Sequence, residues 1–205
     1  MKKTVILLMF LAVPFASHAS GAAETTAPGR AFEAAAGTQG PLSFFQAGVH
    51  FPNVKNSMFL GLKFKYLSCL NYVTFIDPAD NTSYISFHPV AMGAVFSIGG
   101  ASPMSRGFMK AYGGMDLFLG TSSTPYDDMV YGTGNLMGDN VTFIISGYFG
   151  LELFTNDRTS IFIDAGGGFK GVSGDKNNMY VSASSWIGSG FNFKMGFRFY
   201  TLPGE

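Results

Sequence analysis

The sequence predicts an all-β fold, an eight-stranded antiparallel transmembrane β-barrel, and three observations carry this prediction. Charged residues make up only 13% of the 205 residues and aromatic residues 16%, whereas a soluble domain is typically about 25% charged. Apolar and polar residues alternate with period two over many segments, which is the period of a β-strand. Beyond the N-terminal segment, no run reaches the ~18 consecutive apolar residues of a membrane-spanning helix. A chain that crosses a bilayer with strands must close its sheet, because lipid cannot satisfy an open strand edge.

The N-terminal segment, residues 1–19, has the pattern of a secretory signal peptide. Two lysines open it, Val5 to Phe15 form an apolar run, and Ser17-His18-Ala19 places small residues at the two positions that a signal peptidase inspects. The apolar run is too short for a spanning helix, which needs about 20 residues. We therefore expect the chain to be exported.

The remaining chain is divided into three parts and carries little net charge. Without residues 1–19, the chain has 11 basic and 13 acidic residues, so it lacks the basic excess that nucleic-acid binding requires. The single cysteine, Cys69, cannot form an internal disulfide, and we expect it in the core. The predicted parts are a flexible lead at 20–29, a barrel at 30–200 and a C-terminal tail at 201–205.

The strand pattern is clearest in the last segment, where apolar residues occupy the odd positions from Phe191 to Phe199. Asn192, Lys194, Gly196 and Arg198 stand between them. Segments of about ten alternating residues fit the length of a tilted transmembrane strand. The same alternation recurs in 45–51, 60–66, 109–120, 142–154 and 159–172.

The connections between predicted strands alternate in length. Those at 53–56, 99–106 and 155–158 are short, whereas those at 77–83, 121–140 and 173–187 are generally longer. If Arg30–Gly37 forms a first strand, short and long connections alternate through eight strands, as in outer-membrane barrels with short periplasmic turns and long external loops. This parity is the reason for including Arg30–Gly37, because its alanine-rich sequence alone is equally compatible with a helix.

In this pattern the chain resembles the small eight-stranded outer-membrane barrels of the OmpA, OmpX and OmpW kind, over about residues 30–200. Its terminal Phe197-Arg198-Phe199-Tyr200 is similar to the aromatic-ended last strand by which such barrels are recognised for assembly. The resemblance implies a location in the bacterial outer membrane. It also implies outer-membrane lipid, lipopolysaccharide and the barrel-assembly machinery as partners.

The predicted inner face of the barrel carries charges of both signs. Eight strands leave an interior just wide enough for side chains, and an unpaired charge there has a large desolvation cost. We therefore expect a structural network of paired charges, with a charge-lined pore as the alternative. Its predicted members are Glu33, Lys63, Lys65, Lys110, Asp116, Glu152, Asp164, Lys170, Lys194 and Arg198.

One polar constellation is compatible with catalysis. Ser86 and His88 share a face of a predicted strand at 84–98, and folding that strand onto 107–120 brings His88 opposite Asp116 or a neighbour. Serine, histidine and aspartate within reach of one another activate a nucleophile for acyl transfer. The simpler interpretation is three common polar residues in a lumen. His50 and His88 lie on different strands, and the sequence predicts neither a metal site nor a cofactor.

Three classes of function are compatible with these patterns. We expect a non-catalytic barrel with a structural or surface-interaction role through its external loops. A passive pore for small or apolar solutes is the second class, and an enzyme that modifies lipid A or phospholipid is the third. Nothing in the sequence identifies the partner of the loops.

Overall fold

In a computed structural model of the chain, the described residues are 29–55, 57–69, 73–76, 84–87, 89–103, 108–123, 125–128, 132–135, 140–172 and 190–201. The predicted signal peptide and nearly all of the flexible lead and the tail lie outside these ranges. The twelve strands are β1 Ala31–Gln39, β2 Leu42–Lys55, β3 Met58–Ser68, β4 Val73–Ile76, β5 Tyr84–Phe87, β6 Val90–Ala101, β7 Met109–Ser123, β8 Pro125–Asp128, β9 Gly132–Asn135, β10 Asn140–Asn156, β11 Thr159–Val172 and β12 Gly190–Tyr200.

Eight of these strands form a closed antiparallel barrel in the order β1-β12-β11-β10-β7-β6-β3-β2. The predicted fold class is therefore confirmed, and its first strand exists. β1 pairs along its whole length with β2 on one side and with β12 on the other. Among the described residues, no helix is long and apolar enough to cross a membrane.

The first and last barrel strands define the two ends of the barrel. Gly29 N donates to Thr201 O at 3.1 Å and Thr201 N donates to Arg30 O at 2.8 Å, so β1 begins where β12 ends. We call this the turn end, and the opposite end the loop end. At the loop end, β1 and β2 are joined by the tight turn Gly40-Pro41, where Gly40 has a φ of 58°. This φ is readily adopted by glycine.

The barrel has its apolar side chains outside and its charged side chains inside. Phe149 is 71% exposed, because its cross-strand neighbours are Gly113 and Ala165. Each of the remaining barrel strands also has exposed large apolar residues on its outer face, including Phe45, Phe64, Phe96, Leu117, Ile163 and Phe193. The alternation in the sequence thus separates an apolar outer face from a polar inner face.

Glycines on the inner face make room for aromatic rings. A Cβ atom at Gly99 would collide with the ring of Phe59, and one at Gly120 would collide with the ring of Phe118. Both rings are almost fully buried, at 3% and 2% exposed. The interior therefore accommodates large rings because the wall directly beside them lacks side chains.

The four remaining strands form a second sheet in the order β4-β5-β8-β9. This order matches the barrel strands that they follow or precede, β3-β6-β7-β10. The pair Phe87–Tyr126 comes just beyond the last barrel pair on that ribbon, Val90–Ser123. We call this sheet the extension.

Two expectations from the sequence are wrong here. The predicted strand at 84–98 is divided between β5 in the extension and β6 in the barrel, and Pro89, which lacks an N–H group, lies between the two strands. The segment 121–140, expected to be a loop, contains β8 and β9. Neither β8 nor β9 shows clear apolar alternation. The position of each strand is determined by pairing with its neighbours rather than by burial of one apolar face.

Candidate functional site

The charged interior of the barrel is centred on Glu33 of β1. This side chain has no solvent exposure. Lys63 Nζ lies 2.7 Å from Glu33 Oε1 and Arg198 Nε lies 2.9 Å from Oε2. Gln46 Nε2 donates a further hydrogen bond to Oε1 at 3.0 Å. One carboxylate therefore joins β1 to β2, β3 and β12.

Arg198 extends this cluster towards the turn end. Its Nη1 lies 2.9 Å from Glu152 Oε2, and the hydroxyls of Ser160 and Tyr200 both donate to Glu152 Oε1. Lys110 is buried and is the cross-strand neighbour of Glu152. Both carboxylate oxygens of Glu152 thus have hydrogen-bond donors, one charged and two neutral, as a buried polar group requires.

A second cluster surrounds Lys194 of β12. Its Nζ lies 3.2 Å from Asp164 Oδ2 and 3.5 Å from Asp116 Oδ2, and 4.6 Å from the centre of the Tyr148 ring. Ser97 donates to Asp116 at 2.6 Å and Tyr112 donates to Asp164 at 3.0 Å. One ammonium group thus compensates two buried carboxylates.

Lys65 lies on the side of this network nearer the loop end. Its Nζ donates to Gln39 Oε1 and lies 3.9 Å from the centre of the Phe44 ring. Gln39 in turn donates to Ser146 Oγ at 3.2 Å. The side chain of Lys170, the last predicted member, lies outside what the structure describes.

An apolar cluster occupies the interior towards the loop end. Leu42 opens β2 and Leu67 lies one residue before the end of β3, and both are at most 1% exposed. The other buried members are Phe44, Ala91, Val95, Phe118 and Ile144. We call this set the apolar plug. Most of its members lie in the loop-end halves of their strands, and it meets the charged network where Lys65 contacts Phe44.

The alternation in the sequence predicts the charged members of the interior network, but its neutral members were not among the predicted residues. Gln39, Gln46, Ser97 and Tyr112 hold carboxylates or amines in place. A signal was available for Gln39 and Tyr112, which fall on the same side of the alternation as the charges on their strands, whereas the strand of Ser97 carries no charge. Single polar residues on that face are easily overlooked beside charges.

The structure does not bring the proposed catalytic residues together. Asp116 is the cross-strand neighbour of Ser97, so the expected register with His88 is wrong. The pair Val90–Ser123 lies seven residues farther along these strands, which is about 23 Å. Ser86 lies beyond that pair, in β5, opposite Thr74 and Asp127. His88 lies outside the described residues.

Metal-binding chemistry has no candidate in the described ranges. No group of three or more histidine, cysteine, aspartate or glutamate side chains there is arranged to hold a metal ion. The interior carboxylates are instead surrounded by lysine and arginine side chains.

Comparisons with known proteins support the fold. No protein-family model and no curated protein matches the chain. The chain is similar to the crystal structure of a major outer membrane protein from Thermus thermophilus, with a TM-score of 0.53 and 12% identity over 84% of this chain and 98% of that one. At this identity the likeness concerns the fold alone, which is that of an outer-membrane-type barrel. Membership of the OmpA, OmpX and OmpW kind in particular stays a prediction.

The Lys194 cluster makes a quantitative prediction. Lys194→Met removes the one cation in direct contact with both Asp116 and Asp164, so we expect a loss of about 3–5 kcal/mol in unfolding free energy. Urea unfolding of the refolded protein, followed by heat-modifiable migration on a gel, measures it. Asp157→Ala, which removes an exposed carboxylate, should change stability by less than about 0.5 kcal/mol. Similar values for the two variants would show that the interior charges are not buried pairs.

Proposed function

We propose that this chain is a bacterial outer-membrane protein that spans the bilayer as a closed, non-catalytic barrel. In this proposal it acts through its loop end, as a structural or surface-interaction protein. The observation that carries the proposal is the distribution of side chains around the barrel wall. Charges are buried inside it and large apolar side chains are exposed outside it.

The outer face supports a lipid environment. Transmembrane barrels present an apolar band to lipid and enclose a polar interior, whereas large contiguous apolar patches are rare on soluble monomers. The exposed apolar side chains here continue round all eight strands. Export by the predicted signal peptide would bring the chain to the barrel-assembly machinery.

The inner face supports a closed lumen rather than a passive pore. The charges are paired with one another across the interior, and the apolar plug packs the interior towards the loop end. A permanent aqueous channel requires a continuous hydrated path, which such packing opposes. The pore is therefore our second candidate.

The extension supports a surface role. In this proposal it continues half of the barrel wall beyond the bilayer as a four-stranded sheet. It therefore presents a hydrogen-bonded surface rather than a set of separate loops. Asp127 and Asp128 of β8 give one of its inner strands a negative charge. We propose that the extension contacts the lipopolysaccharide layer or an external partner.

We assign no enzymatic role to the candidate catalytic residues. Asp116 accepts a hydrogen bond from Ser97 and is paired with Lys194, and Ser86 lies in the extension. A general base has to lie within hydrogen-bond reach of its nucleophile. Modification of lipid acyl groups therefore ranks below the two non-catalytic candidates.

The lipid-facing position of Phe149 is testable by substitution. It lies near the middle of β10 and is exposed, so Phe149→Arg should reduce stability in phospholipid vesicles by about 2–4 kcal/mol. Thr155→Arg, on the same strand near the turn end, should reduce it by at most about 1 kcal/mol. Urea titration of both variants in the same vesicles provides the comparison. A harmless Phe149→Arg would contradict the bilayer assignment, because only an exposed position in water tolerates arginine freely.

The closed lumen is testable by conductance. In planar bilayers, the refolded wild-type protein should show no sustained stepwise current. Phe118→Ala with Ile144→Ala removes two neighbouring members of the apolar plug, and we expect open events to become frequent. Phe96→Ala, which shortens an exposed residue on the outer face, is the matched control. Sustained current through the wild-type protein would instead favour the passive pore.

A further inference from the structure

Among the side chains that the structure describes, the exposed basic ones lie at the turn end of the barrel. Arg30 precedes β1 and Arg158 lies in the turn between β10 and β11, and both side chains are exposed. Lys55 ends β2 at the same end. This distribution places a positive rim next to one surface of the proposed membrane.

Arg30 and Arg158 lie on either side of the end of β12. Tyr200 N donates to Arg158 O at 2.7 Å, and the next residue, Thr201, donates from its N to Arg30 O at 2.8 Å. The two arginines belong to chain segments two strand spacings apart, which is about 10 Å. The end of β12 therefore runs between two exposed guanidinium groups.

An exposed aromatic cluster lies directly above these arginines on the outer face. Phe32 is two residues from Arg30 and therefore on the same face of the strand, and it is the cross-strand neighbour of Phe199. The rings of Phe197 and Phe199 are 5.2 Å apart. These three rings are between 42% and 51% exposed. From the rim towards the middle of the barrel, positive side chains thus come first and apolar rings come next.

We propose that Arg30, Arg158, Phe32, Phe197 and Phe199 form a binding surface for an anionic phospholipid of the leaflet at the turn end. This inference rests on the proposed bilayer-spanning function. Guanidinium groups bind phosphate oxygens with paired hydrogen bonds, and the rings, which lie farther from the rim, contact the part of the acyl chains next to the headgroup. The geometry matches the amphiphilic order of a lipid, charge first and hydrocarbon second.

The surrounding charges affect how tightly this surface binds an anionic lipid. Asp157 is exposed beside Arg158 and reduces the local positive charge by one. Each arginine near an anionic lipid surface contributes about a fivefold increase in binding. The attraction is screened by salt, so the preference weakens as the ionic strength rises.

Native mass spectrometry of the refolded full chain measures this binding. The protein is released from vesicles of phosphatidylcholine and phosphatidylglycerol mixed three to one, and the ratio of the two lipids retained is compared with the ratio supplied. We expect the wild-type protein to be enriched in phosphatidylglycerol. Arg30→Gln with Arg158→Gln should reduce the enrichment by about fivefold per arginine, and Asp157→Asn should increase it.

A matched control and an insertion assay separate the outcomes. Lys176→Gln also removes one positive charge, but from the segment that follows β11 and precedes β12. Because β11 ends and β12 begins at the loop end, this variant should leave the enrichment unchanged. Equal enrichment in the wild type and the double arginine variant would overturn the lipid surface while leaving the bilayer assignment intact. Failure of the wild-type protein to insert into any vesicle, judged by heat-modifiable migration, would overturn both. An equal loss in Lys176→Gln would indicate a general charge effect and would overturn the assigned surface.

Discussion

The buried carboxylate of Glu33 is the constraint on which the rest of the barrel depends. It has no contact with solvent, so its charge has to be compensated by side chains of the interior. Lys63, Arg198 and Gln46 provide this compensation from three other strands. Because β12 and β1 are the last and first strands of the barrel, the contact with Arg198 also closes the seam between them.

The charged interior follows the same rule throughout. Removing one partner from a buried pair is costly, although the whole pair contributes little net stability compared with an apolar core. We therefore expect the Glu33 and Lys194 clusters to affect which strands become neighbours more than they increase total stability. The register of β1 illustrates this, because a slip of one residue would turn Glu33 to the apolar outer face.

The packing of the barrel interior differs between its two ends. Towards the turn end, ion pairs and hydroxyl hydrogen bonds around Glu152 and Arg198 lie beside a second buried apolar cluster, which includes the rings of Phe59 and Phe162. Towards the loop end, the interior is held by packing among residues such as Leu42, Leu67 and Ile144. The extension then continues one side of the wall beyond the pair Val90–Ser123.

The barrel itself was predictable from the sequence, because a wall with one apolar and one polar face imposes period two on every strand. The first strand followed from the parity of the connections rather than from its own alanine-rich sequence, and its pairing with β2 and β12 confirms it. The extension was not predictable, because β5 and β8 are short and are positioned by neighbours that already pair in the barrel. The register of Ser97 with Asp116 was missed because the turn was expected at 99–106, whereas β6 continues to Ala101 and pairs there with Tyr112.

A double-mutant cycle on Glu33 and Arg198 tests most directly whether a buried charge pair closes the seam of the barrel. The free energy of unfolding is measured in vesicles for the wild type, Glu33→Ala, Arg198→Ala and the double variant. We predict a coupling energy of about 2 kcal/mol or more, within the range found for residues in direct contact. Additivity of the two single variants to within about 0.5 kcal/mol would show that the pair does not hold β1 against β12, and would contradict the account.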